Sequence, residues 1–269
     1  MIKTLLFILS LAFLFSCDKY DRVNFAKIES YPTKTGTEWN YSSVSVLKIF
    51  ESASLEKVID YDTLIFNIKV KIEKDTLLND TMLVKQFSSK AEEADFTSME
   101  YFFVDSEGLK AYAYSNPTLH VFVKKHSFTY RKLNLLSPGL YDPEPLTIEE
   151  DDLHVYQPFP RLNLKLPLEL NSKWTYVNTY APMHLQIDKE IIGQEVVKIN
   201  NTSYNCYKIQ WIYIDNVFFD GIKIYDWISN KGLIKRQAIY EPTLFSAGEE
   251  ELIGYGQVTE TITLKDLNF

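Results

Sequence analysis

Cysteine is almost missing from this chain of 269 residues: there are two, Cys17 and Cys206. Apart from Cys17, treated below, one thiol is left, and one thiol cannot close an intramolecular disulfide. No His neighbours Cys206 in sequence, so it reads as a buried, inert thiol rather than a nucleophile. Glycine is scarce too, 9 residues, and no Gly-rich phosphate loop is present. The 4 His form no His-Glu-x-x-His, and no Gly-x-Ser-x-Gly occurs, which removes the common zinc-peptidase and serine-hydrolase signatures. Basic excess is absent: 28 Lys and Arg stand against 36 Asp and Glu, a net charge of −8. Such a surface disfavours nucleic acid and anionic lipid. Beyond the first 16 residues no apolar run is long enough for a transmembrane helix. The sequence implies no cofactor, no metal site and no catalytic residue.

What is present begins with residues 1–16. Lys3 supplies a positive start, and Leu5 to Leu14 is an apolar run broken by Ser10. It is too short to span a bilayer and reads as an export signal. The run ends Leu14-Phe15-Ser16-Cys17, which resembles the lipobox of bacterial lipoproteins. The resemblance implies cleavage before Cys17, acylation of that residue, and attachment to a membrane of the cell envelope through lipid (palmitate among the acyl chains). Phe15 departs from the small or aliphatic residue usual at its position. Asp18, Lys19 and Asp21 loosely resemble sorting signals for the outer membrane. A multiply acylated Cys is a stable anchor.

A motif then occurs twice. Tyr31-Pro32 through Gly36 to Trp39-Asn40-Tyr41 matches Leu166-Pro167 through Asn171 to Trp174-Thr175-Tyr176. Each has Pro, a residue that tolerates positive φ, then two aromatics in strand phase. A second anchor pairs Tyr101 to Lys110 with Tyr225 to Lys235, each with aromatics, a polar turn, Gly, Leu and Lys. A third pairs Asn116-Pro117-Thr118-Leu119 with Glu241-Pro242-Thr243-Leu244. Three anchors in one order indicate an internal repeat. Trp to Gly spans 69 residues in the first copy (108 − 39) and 58 in the second (232 − 174), so one hairpin of the first copy is expected to be longer.

Alternation marks strands throughout, most cleanly at Leu64, Phe66, Ile68, Val70 and Ile72. Asn79-Asp80 and Ser229 to Gly232 are turns. Ala91-Glu92-Glu93-Ala94 predicts a short helix within Ser89–Met99. Five of the ten prolines fall in residues 137–160, around the acidic run Glu149 to Asp152. That run lacks the Gly and the alternating oxygen ligands of a calcium loop. The expected fold is mostly β: two related antiparallel units of curved sheet, half-barrel or barrel-like, after a lipoprotein signal peptide. The segments are signal 1–16, tether 17–30, β unit 31–136, Pro-rich acidic linker 137–163 and β unit 164–269.

The motifs Trp-x-Tyr, Gly193 to Val197, Tyr204 to Ile209 and Gly232 to Lys235 together resemble a broad set of uncharacterised envelope β-proteins. That resemblance implies curved sheets related in outline to lipocalin-like and lipoprotein-carrier folds, and no activity. Aromatics make up 14% of the chain, which suits a sheet that stacks on sugars or holds acyl chains, and equally a thin β core. Asp-Thr-Leu/Met occurs at Thr63, Thr76 and Thr81 and resembles acceptors of envelope O-glycosylation, although Asp closing a turn and Thr opening a strand gives the same pattern. The expected function is a non-catalytic envelope lipoprotein that binds an apolar ligand, a glycan or a partner protein on a curved sheet. The alternatives are a hydrolase with two cleft carboxylates and a structural subunit of an envelope complex.

Overall fold

Side chains that alternate between buried and outward-facing along almost every segment leave each strand one apolar face, and a sheet with one such face must close on itself or stack. A computed structural model, which describes residues 25–92, 97–115, 120–123, 128–131, 155–179, 185–214, 222–246 and 252–269, shows near-closure. Twelve antiparallel strands form one nearly closed, barrel-like sheet. The first half holds β1 (Glu38–Phe50), β2 (Val58–Leu78), β3 (Met82–Ala91), β4 (Ser98–Val104), β5 (Gly108–Ser115) and β8 (Val155–Lys165). The second holds β9 (Lys173–Thr179), β10 (Leu185–Ile199), β11 (Thr202–Ile214), β12 (Ile222–Ser229), β13 (Gly232–Ser246) and β14 (Leu252–Asn268). A separate hairpin pairs β6 (His120–Val123) with β7 (Phe128–Arg131).

Strand order is β8-β5-β4-β3-β2-β1-β14-β13-β12-β11-β10-β9. Each half is therefore a six-stranded meander, and the first strand of one half adjoins the last strand of the other. The first two anchors form matching contacts in both halves, while residues 116–119 of the third lie outside the described residues. Gly36 (φ 88°) donates its N–H to the Ile72 carbonyl, and the Ile72 N–H returns to Thr37. Asn171 (φ 65°) donates to Ile191, whose N–H returns to Ser172. Ladders shift register just after both isoleucines, between Ile72 and Lys74 and between Ile191 and Gly193. In the β4–β5 turn Asp105 Oδ1 accepts the Glu107 N–H, and in the β12–β13 turn Ser229 Oγ accepts the Lys231 N–H.

The halves clasp each other through these motifs. A Cβ on Gly232 would lie 3.0 Å from Trp39 Nε1 and 3.1 Å from the Tyr31 hydroxyl. A Cβ on Gly108 would lie 2.0 Å from the Leu164 carbonyl and 2.9 Å from the Leu166 nitrogen. Each Pro-led approach to a half thus packs on the glycine turn of the other half, against main chain that leaves no room for a Cβ at Gly108 and tightly against side-chain atoms at Gly232. Each indole also donates across: Trp39 Nε1 to the Lys231 carbonyl at 2.7 Å, Trp174 Nε1 to the Leu162 carbonyl at 3.0 Å. Trp39 stacks on Phe87, which meets Phe102 edge-on at 5.0 Å between centroids, so aromatic bulk fills the first half.

Three expectations need correction. Ala91 ends a strand rather than sitting in a helix: β3 takes Ser89–Ala91 and β4 begins at Ser98, because ladder bonds to β2 outweigh the helix propensity of Ala and Glu. The linker is shorter than 137–163, since β8 starts at Val155 and pairs with β5. Pro158 and Pro160 are tolerated there because β8 ends the sheet and the two prolines fall in the gap of the ladder between Tyr156 and Arg161. The tether 17–30 is also shorter: Ile28 is buried and bridges Leu168, whose N–H bonds to the Ile28 carbonyl at 3.0 Å. The longer hairpin of the first copy is β1–β2.

Candidate functional site

Four strands of the second half carry a charged residue on their apolar phase. Lys189 lies between Ile187 and Ile191, Asp226 between Ile224 and Ile228, Arg236 between Ile234 and Ala238, and Glu260 between Val258 and Ile262. All four are buried, at 6% exposure or less. Burial of an ion is costly unless it is paired, and the pairing is close. Arg236 holds Asp226 bidentately, Nε to Oδ1 at 2.5 Å and Nη2 to Oδ2 at 2.8 Å. Trp211 Nε1 donates to Asp226 Oδ2 at 2.8 Å. Burial works against the guanidinium charge, but the Asp226 charge and hydrogen bonds more than offset it and the Arg236 pKa rises. On the opposite seam Ser43 Oγ donates to Glu260 Oε1 at 3.0 Å. Ser45, directly across the ladder from Glu260, buries a hydroxyl with no hydrogen-bond partner among the described residues.

Lys189 reaches the end of the sheet. Its Nζ donates to the Asn163 carbonyl at 2.8 Å and to Asn163 Oδ1 at 2.9 Å, both on β8. It also lies 3.7 Å from the Trp211 ring centroid and 4.3 Å from that of Tyr176. Burial holds its pKa well below the usual lysine range, with Asp226 pulling the other way and Arg236 adding to the depression. Carbonyl, amide oxygen and ring faces are all acceptors, so the bonding geometry favours the protonated amine against that burial cost.

These contacts stand where a ladder is missing. β1 and β14 are joined over the whole of β1, yet among the described residues no ladder joins β8 to β9, their counterparts. Side chains close this seam instead: Trp174 to Leu162 and Lys189 to Asn163. Behind it lies a cavity of about 20 Å³, lined by Tyr31, Asn163, Lys189, Asp226 and Arg236 among others. That is room for about one water molecule.

The first half serves as an internal control. Where Lys189 stands two residues before the β10 register shift, Val70 stands two before that of β2. Where Asp226 faces Arg236 across the β12–β13 ladder, Phe102 faces Ala111 across β4–β5. Val70, Phe102 and Ala111 are buried. At these three positions the first half packs apolar side chains where the second carries ions, so the meander does not require an ion there, although the first half buries a carboxylate of its own, Glu100 on β4.

The other expected residues lie apart from this cluster. Cys17 lies outside the described residues, as does the acidic run 149–152. Thr63 is exposed on the outer face of β2, Thr76 is half-buried on the same strand, and Thr81 is exposed in the β2–β3 turn. Thr63 and Thr76 are roughly 40 Å apart along β2. Cys206 is buried and its thiol is pushed up to about 12 by burial. Among the described residues no group of three or more His, Cys, Asp or Glu is placed to hold a metal. Asp75, Asp105, Asp188, Glu73, Glu169 and Glu195 each have a lowered pKa, the direction opposite to that of a general acid. Comparison with family models, with curated proteins and with solved structures found no match to this chain.

Proposed function

We propose that this is a non-catalytic binding protein of the cell envelope, held to its membrane by lipid on Cys17, that takes a small polar ligand or the end of a glycan at the β8–β9 seam. One observation carries the reading: Lys189, Asp226 and Arg236, which line the cavity behind the unladdered seam, have the apolar counterparts Val70, Phe102 and Ala111 in the half that folds the same way. Polar donors and acceptors backed by Trp211 and Tyr176 suit a hydroxyl-rich ligand. An acyl chain is a poorer fit, since Trp39, Phe87 and Phe102 fill the first half and the cavity of about 20 Å³ holds none. The ligand would replace Asn163 as the partner of Lys189 and part the seam.

Native mass spectrometry of protein taken from its own envelope tests this. A co-purifying sugar or small polar compound, lost in Lys189→Met, is the expected result. A bound lipid, or a ligand retained equally by Lys189→Met, overturns it. For the anchor, palmitate labelling should vanish in Cys17→Ser.

The second reading, a structural subunit, is favoured by the exposed side chains of Ile59, Tyr61 and Ile65 on β2.

A further inference from the structure

Resting on the reading of the β8–β9 seam as a binding site, we propose that the ligand end taken there is an acidic sugar, whose carboxylate displaces the Asn163 carboxamide from Lys189. Lys189 and Asn163 are both buried, at 3% and 4% exposure. The partners of the Lys189 ammonium are a main-chain carbonyl, a carboxamide oxygen and two ring faces, all of them neutral. Asp226 lines the same cavity, but its carboxylate is taken up by Arg236 and Trp211. Asn163 is turned toward Lys189 by a bulge. Leu164 pairs with Leu109 and Leu162 with Lys110, so Asn163 has no rung of its own on β5. A bulge re-aims the residue it frees, and this one sends both the carbonyl and the side-chain oxygen of Asn163 to one amine.

A carboxamide has the forked shape of a carboxylate without its charge. Asn163 therefore fills the place of a carboxylate on Lys189 and leaves the ammonium without a counter-ion. An ionised acceptor makes a hydrogen bond about twice as strong as a neutral one, and burial keeps that attraction from being screened. Arg236 is already neutralised by Asp226, so one positive charge remains, that of Lys189. A carboxylate matches it, whereas a phosphate, nearly a dianion at neutral pH, would leave buried negative charge over. The seam favours an anion in a chain that is acidic overall. Neither β8 nor β9 contains an acidic residue, and they carry Arg161, Lys165 and Lys173. Of the acids next to them, Asp188 on β10 is held by Lys173 at 3.1 Å and Glu169, in the β8–β9 connection, by Lys27 at 2.8 Å, while Glu190 stands across the ladder from Lys173. The rings of Trp211 and Tyr176 beside Lys189 suit a sugar as the carrier of the carboxylate.

The test is calorimetric titration of the full acylated chain in detergent with D-glucuronate and D-galacturonate, each against its neutral parent, D-glucose and D-galactose. At least one uronate should bind at least about tenfold more tightly than its neutral parent. Asn163→Ala vacates the place of the carboxylate and should tighten uronate binding. Asn163→Asp ties a carboxylate to Lys189 and should abolish it, with an unfolding midpoint at neutral pH no lower than that of the parent, which separates a filled site from a lost fold. Neutral sugars that bind as tightly as the uronates overturn the carboxylate and leave the seam as a binding site. Inorganic phosphate or N-acetylglycine binding as tightly as a uronate overturns the acidic sugar, as does an Asn163→Asp chain that binds uronate like the parent. No binding of any of the four sugars, by the parent or by Asn163→Ala, overturns the seam reading itself.

Discussion

Breaking the buried ion pair and then rebuilding it as the first half is built separates a site from a scaffold. Asp226→Ala leaves Arg236 buried at 2% exposure without its bidentate partner and strips Trp211 Nε1 of its acceptor. Removing one partner of such a pair costs about 3–5 kcal/mol. The double change Asp226→Phe with Arg236→Ala installs the Phe102–Ala111 pairing of the other half at the same rung. It removes both charges at nearly constant volume, a replacement that is often neutral or favourable by about 1–4 kcal/mol. What stays lost is the Trp211 hydrogen bond, about 1–3 kcal/mol for a donor left unsatisfied. The double variant should therefore recover most of the loss and sit within about 2 kcal/mol of the parent. Equilibrium urea unfolding at constant m-value reads this directly. A double variant as unstable as Asp226→Ala would refute the claim that the two halves are interchangeable scaffolds.

Other outcomes follow from the same geometry. Gly108→Ala should cost more than Gly232→Ala, because its Cβ would meet main chain at 2.0 Å rather than side-chain atoms at 3.0 Å, and denaturation midpoints should rank them so. Both add the strain of positive φ, about 1–2 kcal/mol. Burial lowers the folded pKa of Lys189 below its ordinary 10.5, so in the window between the two values the unfolded chain binds a proton that the folded chain does not. Stability should accordingly rise with pH through that window relative to Lys189→Met, as measured by unfolding from neutral to alkaline pH. A flat difference between the two proteins contradicts the burial. Cys206, with its thiol at about 12, should resist a thiol reagent at pH 8 until urea is added.

Much of this architecture could be read from the residues. Gly36, Asn171, Gly108 and Gly232 stood out because their φ values cannot be met cheaply by other residues, and each is at its turn. The Trp-x-Tyr pairs faced one way by strand period alone, and both are buried. The helix at Ala91 failed because propensity is local, whereas a strand is held by a neighbour far away in sequence. β8 was hidden by Pro158 and Pro160, which mark a linker unless the strand lies at a sheet edge. The buried charges were legible in principle: Lys189, Asp226, Arg236 and Glu260 each interrupt an apolar phase between two aliphatic residues. The convergence of Lys189, Asp226 and Arg236 on one cavity was not, because it depends on registers across β10 to β13 that no single strand encodes.

The account turns on two seams that are alike in topology and unlike in bonding, and amide hydrogen exchange of the intact protein compares them most directly. Backbone amides of β8 and β9 that face each other should exchange far faster than those joining β1 to β14, and a bound ligand should slow the β8–β9 set alone. Equal protection at both seams would mean that the barrel is closed all round, and the binding site proposed at the β8–β9 seam would have no way in.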